Sequence, residues 1–137
     1  MLQQKITILN QLTELERIAT TLETIGENWD LQMSLTLNLN LVLEELITNI
    51  IFYGFTDKDE HLIEINICFE DHKIFLTVED DGIAFNPLLK EDADISLPAE
   101  ERAIGGLGIH FVRKLMDTIR YERKNEKNIL TMMKMVK

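Results

Sequence analysis

Apolar and polar side chains alternate along two stretches near the middle of the chain. Every second residue is apolar from 63 to 69 and again from 74 to 78, and a polar turn lies between the two runs. A period of two predicts strands that bury one face, so these runs are interpreted as a β-hairpin. Residues 118–123 and 129–136 are interpreted as a second hairpin, and residues 5–9 as a short first strand.

Helical spacing marks the other apolar segments. After Asn10, a candidate helix cap, apolar residues recur every three or four positions up to Gly26, a candidate helix stop. Residues 34–53 also carry a helical stripe, which ends at Gly54. The alternating leucines of residues 35–41 would suit a strand, but the helical stripe is longer and no turn interrupts it, so a helix is predicted.

A long segment without periodicity separates the two hairpins. Residues 86–104 contain Pro87 and Pro98, and such a loop fits a compact domain only if it is functional, for example as a lid. A short helix over residues 106–116 follows. These elements predict one α+β domain over residues 1–137. Its architecture is a two-layer α/β sandwich, in which a mixed, mostly antiparallel sheet carries the helices on one face.

The charge balance narrows the range of partners. The chain carries 24 Asp and Glu against 14 Lys and Arg, a formal net charge of −10. Nucleic acid and anionic lipid are bound through Lys and Arg, so neither nucleic acid nor a membrane is expected as a partner.

No apolar run approaches the ~20 residues of a membrane span, and no signal peptide is recognised. The single Cys68 precludes an internal disulfide and suits the reducing cytoplasm.

Glu45 and Asn49 form the first candidate site. Residues four apart lie on one face of a helix, so a carboxylate and a carboxamide project together from an apolar segment. The Asn49 oxygen suits a hard cation such as Mg²⁺, and Glu45 can accept a proton or orient a water molecule. A solvated stripe on an amphipathic helix would contain the same pair.

Two glycine-containing turns complete the candidate chemistry. Asp80 and Gly82 follow a predicted strand, where an acid can accept a hydrogen bond from the exocyclic amine of adenine and glycine allows close approach. An ordinary turn has the same composition.

Gly105, Gly106 and Gly108 lie where the long loop meets the last helix. Their amides can surround phosphate oxygens at a helix N-terminus, although a flexible hinge would also contain them.

The order and spacing of these motifs resemble one known superfamily. Glu-x-x-x-Asn on a helix, Asp-x-Gly after a strand and Gly-x-Gly opening a helix are similar to the three nucleotide-binding boxes of the GHKL superfamily of gyrases, heat-shock chaperones and histidine kinases. The segments LEELITNIIFYGF, VEDDGIAFNP and LPAEERAIGGLGIHFVRKLMD resemble bacterial anti-sigma-factor serine/threonine kinases. The similarity extends from about Leu35 to the C-terminus and implies the Bergerat ATP-binding fold.

The resemblance implies a role for each motif residue. Asn49 would coordinate Mg²⁺ at the phosphates of ATP, and Glu45 would be the general base that takes a proton from a substrate serine or from water. Asp80 would bind the adenine amine, and Gly82 would leave room for the base. Backbone amides for the phosphates would come from Gly105, Gly106, Leu107 and Gly108.

Four further positions bear on the expected ATP pocket. Ala84 replaces the usual second glycine of the Asp-x-Gly box, which alters the pocket wall. Arg102, in the loop, is expected either to contact the terminal phosphate or to stay solvated. Tyr53 stands where many relatives carry His. Asn128 stands roughly where many members place a Thr that supports the adenine-binding acid.

The resemblance also implies a function. The expectation is an ATP-dependent serine/threonine protein kinase that acts as an anti-sigma regulatory factor by partner switching, with ATP and Mg²⁺ as cofactors. It would hold a sigma factor or similar client in the cytoplasm, phosphorylate a serine or threonine of a small antagonist protein, and form a homodimer. The alternative is a nucleotide-gated binding module with slow or absent phosphoryl transfer, and the sequence does not separate the two.

Overall fold

The computed structural model of the protein describes residues 1–89 and 108–136. In these residues five strands, three α-helices and two short 3₁₀ turns follow the predicted order. The elements are β1 (Leu2–Leu9), a 3₁₀ turn (Leu12–Glu14), α1 (Leu15–Asn28), α2 (Met33–Tyr53), β2 (Leu62–Glu70), β3 (Lys73–Asp80), a 3₁₀ turn (Pro87–Leu89), α3 (Gly108–Leu115), β4 (Thr118–Lys124) and β5 (Lys127–Met135).

The five strands form one sheet in the order β1-β2-β3-β5-β4, and every neighbouring pair is antiparallel. The predicted hairpins are β2–β3 and β4–β5, and they join through the pairing of β3 with β5. In this register Val78 lies opposite Leu130, and Asp80 lies opposite Asn128. The last residue of β3 therefore has a polar neighbour on β5.

The helices pack on one face of the sheet, as predicted for the two-layer sandwich. The apolar stripe of α2 contributes five side chains that are at most 4% exposed: Leu39, Val42, Leu43, Leu46 and Ile47. These side chains share one core with the inward-facing isoleucines of β2, which are Ile63, Ile65 and Ile67. α3 packs against α2 and adds Val112 to the same core, and Met116, directly after α3, joins it too.

Among the described residues, α2 is long and apolar enough to cross a membrane, judged by length and composition alone. The sequence analysis recognised no such candidate because polar residues such as Asn38 and Asn40 interrupt the apolar run. In the structure the apolar stripe of α2 is buried against the sheet. This packing accounts for the composition of α2 without a membrane.

Two local expectations about α1 were wrong. α1 does not stop at Gly26 but continues to Asn28. Gly26 instead permits close packing of α1 on α2, since a Cβ there would lie 2.9 Å from Cγ2 of Thr36. Asn10 does not cap the helix; its side-chain oxygen accepts a hydrogen bond from the N–H of His61 at 2.9 Å.

Candidate functional site

A cleft opens between the C-terminal half of α2 and the paired ends of β3 and β5. It encloses about 470 Å³ of space free of protein atoms, part of it open to solvent. Asn49 of α2 and Asp80 of β3 both line it, so the structure brings together two residues that were predicted to share one ligand. The remaining lining residues are Leu46, Ile50, Gly54, Val78, Phe85, Pro87, Tyr121, Asn128 and Leu130.

None of the other predicted site residues in the described part of the chain lines this cleft. Glu45 is half-buried and lies one helical turn before Asn49, and Ala84 is exposed. Tyr53, at the end of α2, is 40% exposed and also does not line it. Gly108 is the first residue of α3. Four predicted positions lie outside the described residues: Arg102, Gly105, Gly106 and Leu107.

Asn49 carries a buried polar atom without a partner. The residue is 7% exposed, and among the described residues no donor bonds its Oδ1 atom. Leaving a buried acceptor unpaired costs about 1–3 kcal/mol, so a ligand that binds this oxygen recovers that cost. Mg²⁺ takes oxygen ligands, including neutral amide oxygens. The Asn49 oxygen therefore fits the cation that the sequence analysis assigned to it.

Asp80 is a buried acid at the opposite wall, only 5% exposed. Its Oδ1 atom accepts hydrogen bonds from the backbone N–H of Gly82 at 2.8 Å and from Nδ2 of Asn128 at 3.0 Å. Burial raises the pKa of Asp80, and the two hydrogen bonds together with the charge of Arg123 oppose this rise. Such an acid is suited to accept a hydrogen bond from a ligand amine in the cleft.

Gly82 lies in direct contact with the end of α2. A Cβ at Gly82 would lie 2.1 Å from the carbonyl oxygen of Gly54, and the same oxygen accepts a hydrogen bond from the N–H of Ile83 at 2.8 Å. The absence of a side chain at Gly82 is therefore required by the protein's own backbone, whatever occupies the cleft. The sequence analysis considered only the space that a ligand would need.

Asn128 is the centre of a polar network behind Asp80. Its Nδ2 atom donates to Oδ1 of Asp80 and, at 2.8 Å, to the carbonyl of Ile83. Its Oδ1 atom accepts from the hydroxyl of Tyr121 at 2.5 Å and from Nη1 of Arg123 at 3.2 Å. The support for Asp80 that the sequence analysis left uncertain is thus supplied by a side-chain amide.

A side-chain hydrogen bond joins α3 to the edge of the cleft. Nη2 of Arg113 donates to the carbonyl oxygen of Leu88 at 2.7 Å. Leu88 directly follows Pro87, which lines the cleft. Two segments that are distant in sequence are therefore held together beside the site.

His61, which belongs to none of the motifs recognised in the sequence, lies beside the Asp-x-Gly turn. Its ring stacks on Phe55 with a centroid distance of 4.2 Å. Nε2 lies 2.7 Å from Oδ1 of Asp57, and Nδ1 lies 3.1 Å from Oδ1 of Asp81. The hydrogen bond with Asp57 raises the pKa of His61 and lowers the pKa of Asp57. The spacing of four residues between Asp57 and His61 was the signal available in the sequence.

Comparison with known proteins agrees with this geometry. Residues 8–134 match the model of a family described as the histidine kinase-like ATPase domain. The chain belongs to this family. Membership confirms the superfamily predicted from the three motifs, and a histidine kinase-like ATPase domain implies nucleotide binding.

Relatives of this ATPase domain include a serine/threonine-protein kinase and anti-sigma F factors. The serine/threonine-protein kinase BtrW of Bordetella bronchiseptica is 25% identical over 126 residues, which are 92% of this chain and 84% of BtrW. The anti-sigma F factor of Bacillus subtilis is 24% identical over 88 residues, which are 64% of this chain and 60% of that protein. The chain thus matches about three fifths of the length of the anti-sigma F factor.

Solved histidine kinases share the fold of this ATPase domain. The histidine kinase domain of the blue-light-activated kinase EL346 from Erythrobacter litoralis has a TM-score of 0.55 at 19% identity and covers 91% of this chain and 60% of that chain. The histidine kinase AdeS from Acinetobacter baumannii has a TM-score of 0.53 at 18% identity and covers 96% of this chain and 68% of that chain. Both confirm the predicted architecture.

Replacement of Gly82 by alanine tests the contact with α2. The new Cβ would collide with the Gly54 carbonyl, so we expect Gly82→Ala to lower the free energy of unfolding by about 1–3 kcal/mol without any nucleotide present. The exchange Ala84→Gly at the exposed position two residues later is the control and should change the free energy of unfolding by less than about 1 kcal/mol. Urea denaturation of the three proteins measures both. Equal stability of Gly82→Ala and wild type would contradict the contact.

The His61 cluster predicts a dependence of stability on pH. Because the pKa of His61 is raised on folding, its contribution is fully present below about pH 6.5, the ordinary His value, and is lost as the pH rises through the folded pKa. We expect His61→Gln to reduce stability at pH 6 and to approach wild type at pH 9, as measured by urea denaturation. His72→Asn is the control for loss of an imidazole elsewhere. If the loss of stability in His61→Gln became larger as the pH rises, the proposed contribution of charged His61 would be contradicted.

Proposed function

We propose that the protein is an ATP-dependent serine/threonine protein kinase that acts as an anti-sigma regulatory factor by partner switching. The observation that carries the proposal is the cleft itself, where the unpaired oxygen of Asn49 and the buried acid Asp80 face one space. Membership of the histidine kinase-like ATPase family supports ATP as the ligand. The names of the relatives, an anti-sigma factor and a serine/threonine kinase, support the class of activity.

In this proposal ATP spans the cleft from one wall to the other. Asp80 accepts a hydrogen bond from the adenine amine, and apolar residues such as Val78 and Leu130 contact the base. Asn49 of α2 would hold Mg²⁺ at the phosphates through Oδ1, and Gly108, the first residue of α3, would supply a backbone amide to them. Mg²⁺ supplies charge neutralisation at the phosphates. This neutralisation matters because the net charge of −10 repels an unaccompanied nucleotide.

Phosphoryl transfer requires the chain to activate a hydroxyl group. Glu45, one turn before Asn49, accepts the proton of a serine or threonine hydroxyl on the protein substrate. The hydroxyl oxygen forms a bond to the terminal phosphorus as the bond from that phosphorus to the bridging oxygen breaks, and ADP leaves. Positions 102 and 105–107 would contribute a cation and backbone amides to the same phosphates, as the family resemblance implies.

The names of the anti-sigma F factor relatives support the class of partner that we propose. The proposed client is a sigma factor or similar protein, and the proposed substrate is a small antagonist protein with an acceptor Ser or Thr. We propose that the protein acts in the cytoplasm as a homodimer. The acidic composition disfavours nucleic acid and anionic lipid as partners.

The exchange Glu45→Gln tests the general base with a side chain of nearly the same shape. Because glutamine cannot take a proton, we expect phosphoryl transfer to fall by about 10²–10⁴-fold while ATP affinity stays within about threefold of wild type. Transfer is measured from ATP labelled at the terminal phosphate to small proteins in a soluble extract of the source cells, followed by phosphoamino-acid analysis. Equal transfer by both proteins would remove Glu45 from this role. If wild type binds ATP with Mg²⁺ but transfers no phosphoryl group, the alternative function, a nucleotide-gated binding module, is supported instead.

The exchange Asn49→Ala tests the cation ligand. Loss of an oxygen that binds a charged group should weaken Mg²⁺-dependent ATP binding by roughly 10–100-fold. Titration calorimetry with ATP, in the presence of Mg²⁺ and in EDTA, measures this difference. Asn38→Ala removes a half-buried carboxamide from the same helix, one that does not line the cleft, and should bind ATP as wild type does. Unchanged binding by Asn49→Ala would contradict the assignment of the metal site.

A further inference from the structure

The network around Asn128 has a fixed polarity. Its Oδ1 atom is surrounded by donors: the N–H of Phe85 at 3.3 Å, the hydroxyl of Tyr121 at 2.5 Å and Nη1 of Arg123 at 3.2 Å. A rotation of the amide by 180° would turn its NH₂ group toward these donors and its oxygen toward the carboxylate of Asp80. The hydrogen bonds with Phe85, Arg123, Asp80 and the carbonyl of Ile83 would then be lost, and only the Tyr121 hydroxyl could still pair by accepting, so Nδ2 points at Asp80.

This orientation determines which oxygen of Asp80 serves the cleft. Among the described residues both donors, the N–H of Gly82 and Nδ2 of Asn128, bond Oδ1, and none bonds Oδ2. A carboxylate whose charged form receives two N–H bonds is stabilised in that form against the effect of burial. These bonds and the charge of Arg123 counteract the rise in the pKa of Asp80 that burial causes, and Oδ2 is the oxygen left to accept a hydrogen bond from a ligand.

A chain of polarised groups supplies this stabilisation from β4. Arg123 donates through Nη1 to Asn128 and also, at 2.8 Å, to the carbonyl oxygen of Gly82. The guanidinium charge polarises the amide, which in turn donates to Asp80. The other charged group acting on Asp80 within the described chain is Asp81, which itself contacts His61.

We propose that Asn128, oriented by Tyr121 and Arg123, is a positioning residue that makes the cleft select nucleobases with an exocyclic amino group over those with a carbonyl at the same place. The inference rests on the proposed function, since it assumes a nucleotide whose base reaches Asp80. A base carbonyl would meet a second acceptor there without a proton between them, which a buried site rejects strongly. A hydroxyl at position 128 could rotate between donor and acceptor roles, whereas this amide is fixed as a donor.

The exchange Asn128→Asp reverses the polarity with minimal change of shape. It places an acceptor oxygen where Nδ2 now lies, 3.0 Å from Oδ1 of Asp80. Two carboxyl groups at this distance share one proton, so the pair can donate to a base carbonyl at low pH and can no longer do so once both ionise. The probes are ATP and inosine triphosphate, which carries a carbonyl in place of the amino group, both with Mg²⁺.

Titration calorimetry at pH 6 and pH 8 measures the ratio of the two affinities. We expect wild type to favour ATP by at least about 100-fold at both values of pH. For Asn128→Asp we expect the preference to fall below about tenfold at pH 6, and ATP affinity to drop at least about tenfold between pH 6 and pH 8. Asn125→Asp makes the same chemical change in the exposed turn of the hairpin and should retain the wild-type preference and the wild-type dependence on pH.

A second variant keeps the test decisive if Asn128→Asp does not fold. Asn128→Leu removes the donor with little change in volume, and it should also reduce the preference for ATP by at least about tenfold. If wild type binds ATP and folded Asn128→Asp keeps the wild-type preference at pH 6, or folded Asn128→Leu keeps it at either pH, the role of Asn128 is overturned while the proposed function stands. If wild type binds neither nucleotide, the proposed function fails and this inference fails with it.

Discussion

The carbonyl oxygen of Gly54 is the atom on which the geometry of the cleft depends. Gly54 directly follows the last residue of α2. Its carbonyl oxygen accepts a hydrogen bond from the N–H of Ile83 at 2.8 Å and leaves no room for a side chain at Gly82. This contact joins the end of the central helix to the turn after β3. Because α2 is also held by the fully buried core beneath it, Asn49 and Asp80 face the same space from opposite walls. The fold thereby positions both polar groups before any ligand arrives.

Asp80 and Asn49, on opposite walls of the cleft, differ in how the cost of burying their polar atoms is offset. Asp80 is supplied with donors, since Gly82 and Asn128 both bond it and Arg123 adds positive charge, so the cost of its burial is partly offset within the protein. Asn49 is left with an unpaired oxygen, whose compensation must come from a ligand. A site with one satisfied acceptor and one unsatisfied oxygen suits a ligand with an amine at one end and a cation at the other. ATP with Mg²⁺ has this distribution.

Much of the fold was predictable because its periodicities are local. The alternation that predicts β2 and β3 and the helical stripe of α2 depend on neighbours in sequence, and the structure agrees with both. Asn49 and Asp80 were predicted from short motifs, and the structure places both at one cleft. The role of Asn128 was not predictable in detail, because its partner Asp80 is 48 residues away and meets it only through the register of β3 with β5. The need for Gly82 likewise depends on a backbone atom from another element, which no local pattern reveals.

The most direct measurement of the central claim is anomalous diffraction from crystals grown with Mn²⁺, as a substitute for Mg²⁺, and a non-hydrolysable ATP analogue. The account predicts an anomalous peak within about 2.5 Å of Oδ1 of Asn49. It also predicts the adenine amine within hydrogen-bonding distance of the Asp80 carboxylate, about 2.7–3.2 Å, in the same cleft. A metal peak remote from Asn49, or a nucleotide bound elsewhere with the cleft empty, would contradict it.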